Sequence, residues 1–553
     1  MSDGAKALWT AEQEAAISLS GRDVLVSAAA GAGKTSVLVE RVIRRLTDPV
    51  APLDVRRLLA VTFTEKAAAE MKQRIRSSLE EALLRFPGDQ RLTRQVSLLD
   101  KALISTIHSF CLHIVRMYFH KAELDPSFRV LDERESELIL QDALDELMEE
   151  LYGDEGEYGQ AFRDLVDRYG GRGVDEDLRE ALVRLHSFAR TQASMEDWLE
   201  AVRDKARCSS VNDALSSVWM ETLLQKASKD LKRARDRISR ALSLCGEPDG
   251  PRAYSKALQT DAGFFDELLA ALDGEGCSEG SGPRGKGPGA SRERLESAVL
   301  LARSFSFPRL PPKVGAECDP SKRELVKRLR EQAKSLLSKV KGCAFMRPLE
   351  DVVGEVSATS AFVEVLVRLV RDLDRKYVGK KRDRGGLDFA DLERYCLQIL
   401  EADGGRVAEE VRREFDCVVV DEYQDVNPLQ ERIISLVSCQ DPASGDRFMV
   451  GDLKQSIYRF RLADPRIFLE KLGEFQRFDR GGGDGRGGVK VHLPHNFRSR
   501  REVIDAVNHV FRRVMSRDVA EVDYDDEHEL RAAAGYPEGQ SGDYVTELHL
   551  VER

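Results

Sequence analysis

Asp23-Val24-Leu25-Val26-Ser27-Ala28-Ala29-Ala30-Gly31-Ala32-Gly33-Lys34-Thr35 decides the fold of this chain. Its first part, Asp23 to Ala29, is apolar and β-prone enough for one buried strand. Small residues then run to Gly33, and an amphipathic stretch, Ser36 to Leu46, reads as a helix. Strand, small-residue loop and helix are the context that a phosphate-binding loop requires. Small side chains let backbone N–H groups curl around a phosphate, and the helix N-terminus adds its partial positive charge. In the strict pattern G-x4-G-K-[ST], Ala28 stands in place of the first Gly. Ala29, Ala30, Gly31, Ala32 and Gly33 form the loop, and Ser36 closes it. Lys34 is placed to reach the β- and γ-phosphates and Thr35 to ligate Mg²⁺ through its hydroxyl. For the loop taken alone, a Gly-rich turn before a helix is the plain alternative.

Working outward, five more short apolar runs stand out: Leu58 to Thr64, Ala102 to His108, Cys417 to Glu422, Arg447 to Asp452 and Val489 to Pro494. Most are continuously apolar, as strands of a parallel sheet covered on both faces must be. Helical patterns such as Lys66 to Leu84 follow several of them, so the fold class is α/β. One run ends on two adjacent carboxylates, Asp421-Glu422. Open parallel sheets bind ligands at the C-terminal ends of their strands. There Asp421 suits a Mg²⁺ ligand, and Glu422 suits the base that orients and deprotonates an attacking water. Between about Leu112 and Arg384 the chain turns charged and helical in pattern, as in Glu133 to Leu151, Ser216 to Leu244 and Arg323 to Val340. That stretch reads as a helical insertion, with a Gly/Ser/Pro-rich mobile loop at 273–291. A second Gly-rich piece, Gly481 to Gly488, reads as a linker or long loop.

The bulk numbers bound the rest. The chain has 553 residues, 42% of them hydrophobic and 33% charged, enough for two to four domains. No apolar run approaches a membrane span, and Met1-Ser2-Asp3-Gly4 lacks the features of a signal peptide, so the expected location is cytoplasmic, with no membrane partner. The nine cysteines have no paired or ligand-like spacing, which excludes a disulfide framework or metal cluster and suits reduced thiols. A net charge of −11 gives no overall steering toward nucleic acid, but a local basic groove suffices for that.

The phosphate loop AAAGAGKT together with DEYQD (Asp421 to Asp425) resembles superfamily 1 DNA helicases of the UvrD type, in which Ala is common at the first loop position. Further motifs occur in that family's order. Gln13 in WTAEQEAAI matches its adenine-recognising glutamine. VTFTEKAAAEM (Val61 to Met71) matches a DNA-binding motif with Phe63 at the base-contacting position, flanked by Thr64 and Lys66. STIHSF (Ser105 to Phe110) matches the next, with His108. LDFADL (Leu387 to Leu392) precedes the carboxylate strand. GDLKQSIYRFR (Gly451 to Arg461) matches the motif that couples ATP to DNA, with Gln455 facing the γ-phosphate and Tyr458 and Phe460 toward DNA. LPHNFRS (Leu493 to Ser499) supplies Phe497 against the adenine and Arg498 at the γ-phosphate. Each aromatic alone also fits core packing, and His108 alone a structural role; the motifs direct Phe63, Tyr458 and His108 to DNA and leave both readings open for Phe460, where the shorter relatives carry Trp. Single strands bind through such aromatics, each stacked base contributing roughly 1–3 kcal/mol. The run Lys380-Lys381-Arg382-Asp383-Arg384 reads either as a DNA contact or as a solvated loop.

The length of the insertion and the wording KQSIYRFRLADP look most like AddA, of the helicase–nuclease enzymes, with RecB its relative. The resemblance implies a RecA-like motor domain 1A at 1–115 and 385–475 and a helical insertion 1B at 116–384. Residues 476–553 would begin a second RecA-like domain, 2A, with Tyr544 to Val551 as one of its strands. It implies ATP and Mg²⁺ as cofactors, single- and double-stranded DNA as substrates, 3′-to-5′ translocation and an AddB-like partner in a heterodimer acting in double-strand-break repair and recombination. The remaining helicase motifs and a nuclease domain are not found before Arg553, so unwinding by this chain alone is in question. Two rival readings stand: a non-catalytic remnant that binds nucleotide or DNA, and a shorter UvrD-type helicase without a nuclease partner.

Overall fold

The computed structural model describes residues 9–536 apart from 170–174, 209, 274–291, 316, 344–346, 442–444, 479–486 and 521. The expected mobile loop, the strand at Tyr544 to Val551 and most of the second Gly-rich piece lie outside the described residues.

The α/β expectation is met. Seven strands form one wholly parallel sheet: β1 (Val24–Ala28), β2 (Leu58–Thr62), β3 (Leu103–Thr106), β4 (Cys417–Val420), β5 (Arg447–Gly451), β6 (Gln476–Arg477) and β7 (Val489–Leu493). Their order is β3-β2-β4-β5-β1-β7-β6. Strands β2, β4 and β5 are buried at every residue, so both faces are covered. Side chains alternate across the sheet. Val24, Val26, Cys417, Val419, Phe448 and Val450 pack on one face with Val37, Leu38, Met71 and Ile75. Leu25, Val418, Val420 and Met449 pack on the other with Phe110, Ile114, Leu392, Cys396, Leu429 and Ile433. These helical residues come from α2 (Lys34–Thr47) and α3 (Glu65–Arg85) on the first face, where α1 (Ala11–Ser18) adds Ala16 and Ile17. On the second they come from α4 (Ile107–Met117), α5 (Phe389–Arg412) and α6 (Pro428–Val437).

Three sequence readings are corrected. Residues 476–493, expected to open a second domain, instead add β6 and β7 to the first sheet. β7 runs alongside β1 from Val24↔Val489 to Ala28↔Leu493, because its alternating buried residues Val489, Val491 and Leu493 join the first core. The strand read at Ala102 to His108 stops at Thr106, whose side chain accepts from the Ser109 N–H and caps α4, so His108 sits in a helical first turn. The basic run at 380–384 is mainly helical, within Leu349–Asp383. Lys381 is fully buried there, bonded to Asp388 at 2.6 Å and Asp391 at 2.5 Å. A buried ammonium persists only with such partners.

By contact the chain divides into two compact units. The first comprises Met1–Leu147, Val183–Met195 and Leu373–Arg553 and holds the sheet. The second, Met148–Leu182 with Glu196–Asp372, has no strand among its described residues. Its core gathers Leu231, Ile238, Phe265, Leu268, Val326 and Ala333 from the helices Val218–Gly246, Ser255–Asp273 and Pro320–Lys341. The eight described cysteines are all free thiols.

Candidate nucleotide and DNA site

Every strand that carries a predicted motif delivers it at the same edge. β1 runs into the small-residue loop, β2 into Phe63, β4 into Asp421-Glu422, β5 into Asp452 and β7 into His495 to Arg498. A parallel sheet places all of these at its C-terminal ends, where open α/β sheets bind ligands.

In the loop, Gly31 and Gly33 take left-handed φ of 70° and 80°, which favours Gly. A Cβ on Gly31 would fall 2.8 Å from Asn496 Nδ2 and 3.0 Å from Arg498 Cβ. Gly33 is the N-cap of α2 and gives no side-chain cap, and the first turn of α2 holds no acidic residue. Its N–H groups and dipole are therefore left for an anion. Half-buried Thr35 and exposed Ser36 lie in that turn. The loop is bolted from outside: the Ala29 N–H donates to Leu493 O at 2.9 Å, the Phe497 N–H to Gly31 O at 3.0 Å and Asn496 Nδ2 to Ala30 O at 2.7 Å. Phe497 and Arg498 are thus brought to the loop through their backbones. Gln13 is brought there too, its Nε2 donating to Ala32 O at 3.1 Å.

Lys34 Nζ donates to Glu422 Oε2 at 2.8 Å. Glu422 has a left-handed φ of 50°, an uncommon conformation for a residue with a Cβ and one that clusters at functional sites. Burial, and after it the Glu422 carboxylate, push Asp421 up to about 6 against the pull of Lys34. A half-desolvated carboxylate beside a second one is a place where a cation relieves cost. Thr35 and Asp421 supply two oxygen donors, which fits Mg²⁺, an ion that takes the rest of its shell from phosphate and water. Among the described residues no group of three His, Cys, Asp or Glu is set to hold a metal by itself.

Gln455 is not brought to Glu422: its Nε2 donates to Asp452 Oδ2 at 2.7 Å. Sequence reasoning missed the link between them. Buried Gln424 donates from Nε2 to Glu422 Oε2 at 2.9 Å and accepts the Asp452 N–H at 2.9 Å. Its one signal is its place inside DEYQD, an amide set among carboxylates. Asn496 was missed likewise; its Oδ1 accepts from the N–H of Arg498 and of Ser499.

Beside the carboxylates, Phe63 and Tyr458 stack with centroids 4.7 Å apart and planes at 28°. Phe460 lies 5.8 Å from Tyr458 and is 74% exposed. The Arg461 guanidinium is within 6 Å of all three rings, at 5.9, 5.6 and 5.9 Å. Thr64 spends its hydroxyl oxygen capping α3 through Ala67, and Lys66 is exposed in the first turn of that helix. His108 meets buried Glu393 at 3.1 Å and the Phe389 ring edge-on at 5.2 Å. Burial is the largest single influence and lowers its pKa, but the bond to Glu393 and the charges of Glu393 and Glu65 together outweigh it and the net shift is upward. A cavity of about 410 Å³ connects the two sides; its walls include Phe63, His108, Phe389, Asp421, Glu422 and Arg461.

The profile of the UvrD/REP helicase N-terminal domain matches residues 9–476. The chain belongs to this family. It is 40% identical over 553 residues to the AddA protein of Geobacillus kaustophilus (strain HTA426), named as part of an ATP-dependent helicase/nuclease; the match covers 99% of this chain and 42% of the relative. It is 42% identical over 556 residues to the protein of that name from Pelotomaculum thermopropionicum, and 39% identical over 554 residues to the one from Bacillus cereus (strain AH820), with the same coverage. The chain thus spans 42% of the length of these curated relatives.

The carboxylates give a pH test of the site. Burial and Glu422 push Asp425, as they do Asp421, up to about 6. An unfolded Asp titrates near 3.9, so ionisation of both is disfavoured in the folded chain. They cost nothing when protonated below about pH 4 and oppose folding once the pH exceeds about 6. In Mg²⁺-free buffer, the melting temperature of Asp421→Asn relative to the unaltered chain should therefore rise between pH 5 and pH 7.5. Parallel pH profiles for the two proteins would show that Asp421 is not desolvated as described.

Proposed function

We propose that this chain is the nucleotide-binding portion of an ATP-dependent DNA helicase of the AddA kind, acting on single- and double-stranded DNA in double-strand-break repair and recombination. The observation that carries the reading is the Lys34–Glu422 pair at the C-terminal edge of the sheet, joined through one cavity to the Phe63–Tyr458 platform. Nucleotide chemistry and a single-strand stacking surface share one wall.

Residues 13 and 28–36 and Phe497 would hold ATP, and Thr35 with Asp421 would hold Mg²⁺. The metal, when bound, neutralises charge between the β- and γ-phosphates. Glu422 would take the proton of the attacking water at its carboxylate. Lys34 and, after domain closure, Gln455 and Arg498 would offset charge on the γ-phosphate. Phe63, Thr64, Lys66, His108, Tyr458 and Phe460 would face DNA. The first motor domain would comprise 1–115, 385–475 and the added strands to Leu493, with 116–384 as the 1B insertion and a second motor domain beginning after Leu493. Translocation 3′ to 5′ and an AddB-like partner follow from the resemblance to the named relatives. No helix among the described residues is long and apolar enough to cross a membrane, and the reading places the chain in the cytoplasm.

The test is phosphate release from ATP by the purified chain, with and without oligo(dT), together with direct nucleotide binding. Stimulation by DNA supports the motor reading. Binding without turnover supports the non-catalytic alternative. A folded chain that binds no nucleotide overturns the motor reading.

A further inference from the structure

Gln13 lies on a helix, Ala11–Ser18, that cannot hold itself in place. It has eight residues, too few for a stable isolated helix, and its only apolar side chains in the core are Ala16 and Ile17. It also lacks a basic residue in its last turn. What secures its end comes from α2, the helix that begins at Lys34. Arg41 is 3% exposed and donates from Nη1 to the carbonyls of Ala16 at 2.9 Å and Ile17 at 3.3 Å. Its guanidinium lies 4.5 Å from the centroid of the Phe448 ring. Among the described residues no carboxylate pairs with it, and its Nε has no partner. Burial accordingly pulls its pKa down to about 10. A buried cation without a counterion is costly, and here the helix carbonyls and a ring face are what receive it.

The amide of Gln13 is pinned in one orientation. Its Oε1 accepts the Thr10 N–H at 2.9 Å and its Nε2 donates to Ala32 O at 3.1 Å. A flipped amide would set nitrogen against the Thr10 N–H and oxygen against the Ala32 carbonyl. One lone pair on Oε1 and one N–H on Nε2 remain, side by side. Adenine presents a matching edge, the N6 donor beside the N7 acceptor. Guanine presents two acceptors, O6 and N7, and O6 would face Oε1. The choice between the bases therefore depends on where the helix Ala11–Ser18 stands against the loop.

We propose that Arg41 is a positioning residue for base discrimination: by holding the end of the Gln13 helix on α2, it fixes the amide in the register that accepts adenine and rejects guanine. This rests on the reading of Gln13 as the group that faces the base. The experiment measures the affinity of the whole chain for fluorescent mant-ATP and mant-GTP. Arg41→Lys and Arg41→Met are compared with Gln13→Ala and with Arg44→Ala, which removes two solvent-exposed ion pairs, one to Glu40 and one to Glu14 on the Gln13 helix, a surface tether of the kind that contributes little. Replacing a buried cation by an apolar side chain of similar volume is often tolerated, so the Met variant guards against loss of fold.

The expected result is a preference for mant-ATP that Gln13→Ala removes. Both Arg41 variants should reduce it roughly tenfold, the worth of one mismatched hydrogen bond, with mant-GTP affinity unchanged. Arg44→Ala should retain it. If Gln13→Ala keeps the preference, the reading of Gln13 itself fails. If Gln13→Ala removes it while the Arg41 variants keep it, weaken both nucleotides equally or fail to fold, the positioning role is overturned.

Discussion

Glu422→Gln is expected to bind nucleotide at least as tightly as the unaltered chain and to turn it over roughly 10²–10⁴-fold more slowly. Both halves follow from the same geometry. Glu422 Oε2 receives Lys34 Nζ at 2.8 Å and Gln424 Nε2 at 2.9 Å, so the carboxylate is held at one spot by a cation and an amide. Without nucleotide, the charge of Lys34 is spent on Glu422. An entering triphosphate has to draw the ammonium away, which costs the ion pair. Gln keeps the shape and the contact to Gln424 but removes the competing charge, so Lys34 is freer for phosphate. The same substitution takes away the group at that position able to accept a proton from water. Single-turnover hydrolysis with oligo(dT) and mant-ATP binding measure the two effects separately. A loss in turnover below about tenfold, or a marked loss of affinity, would remove Glu422 from the role of base.

The phosphate loop and the carboxylate strand are legible in the sequence because both are local. A strand that ends in DEYQD declares its own chemistry, and the loop declares its φ requirements through Gly31 and Gly33. The parallel sheet is legible for the same reason, since β2, β4 and β5 are apolar at nearly every residue. What is not legible depends on partners far along the chain. Asn496 braces Ala30 from 466 positions away, and its motif, LPHNFRS, does not show that contact. Residues 476–493 read as part of a second domain because they follow the last central motif. Only the pairing of β7 with β1 shows that they complete the first sheet. Lys381 sits in a run of charge that reads as solvated, and its burial follows from Asp388 and Asp391 closing on it. Gln424 belongs to a legible motif, but its role emerges only where β4 and β5 lie side by side. That link is one step in a run of contacts from the aromatic rings to the carboxylates. From Tyr458 the chain leads back to Gln455, whose amide holds Asp452, whose N–H in turn meets Gln424 and so Glu422.

Replacing Phe63 or Tyr458 by Ala should each weaken single-stranded DNA binding by about 1–3 kcal/mol, or roughly 5–150-fold. The two rings stack on one another at 4.7 Å, so in the DNA-free protein each covers a face that a base could use. Losing either ring exposes the other, and bases can then stack on the survivor. The double variant should therefore lose more than the sum of the single losses, a departure from additivity expected of residues in contact. Phe460 differs: at 74% exposed it has little to organise it beyond Tyr458 and Arg461, and its loss should be the smallest of the three. Anisotropy of labelled oligo(dT) at one fixed salt concentration measures all four proteins, since phosphate contacts shift with salt while stacking does so far less. Strict additivity would mean that the rings act at separate bases and that their stack opens on binding. A loss below about twofold for both single variants would move the DNA away from this edge of the sheet. It would then also be away from the cavity that leads to Glu422, and the proposed joining of nucleotide and DNA through that cavity would fail.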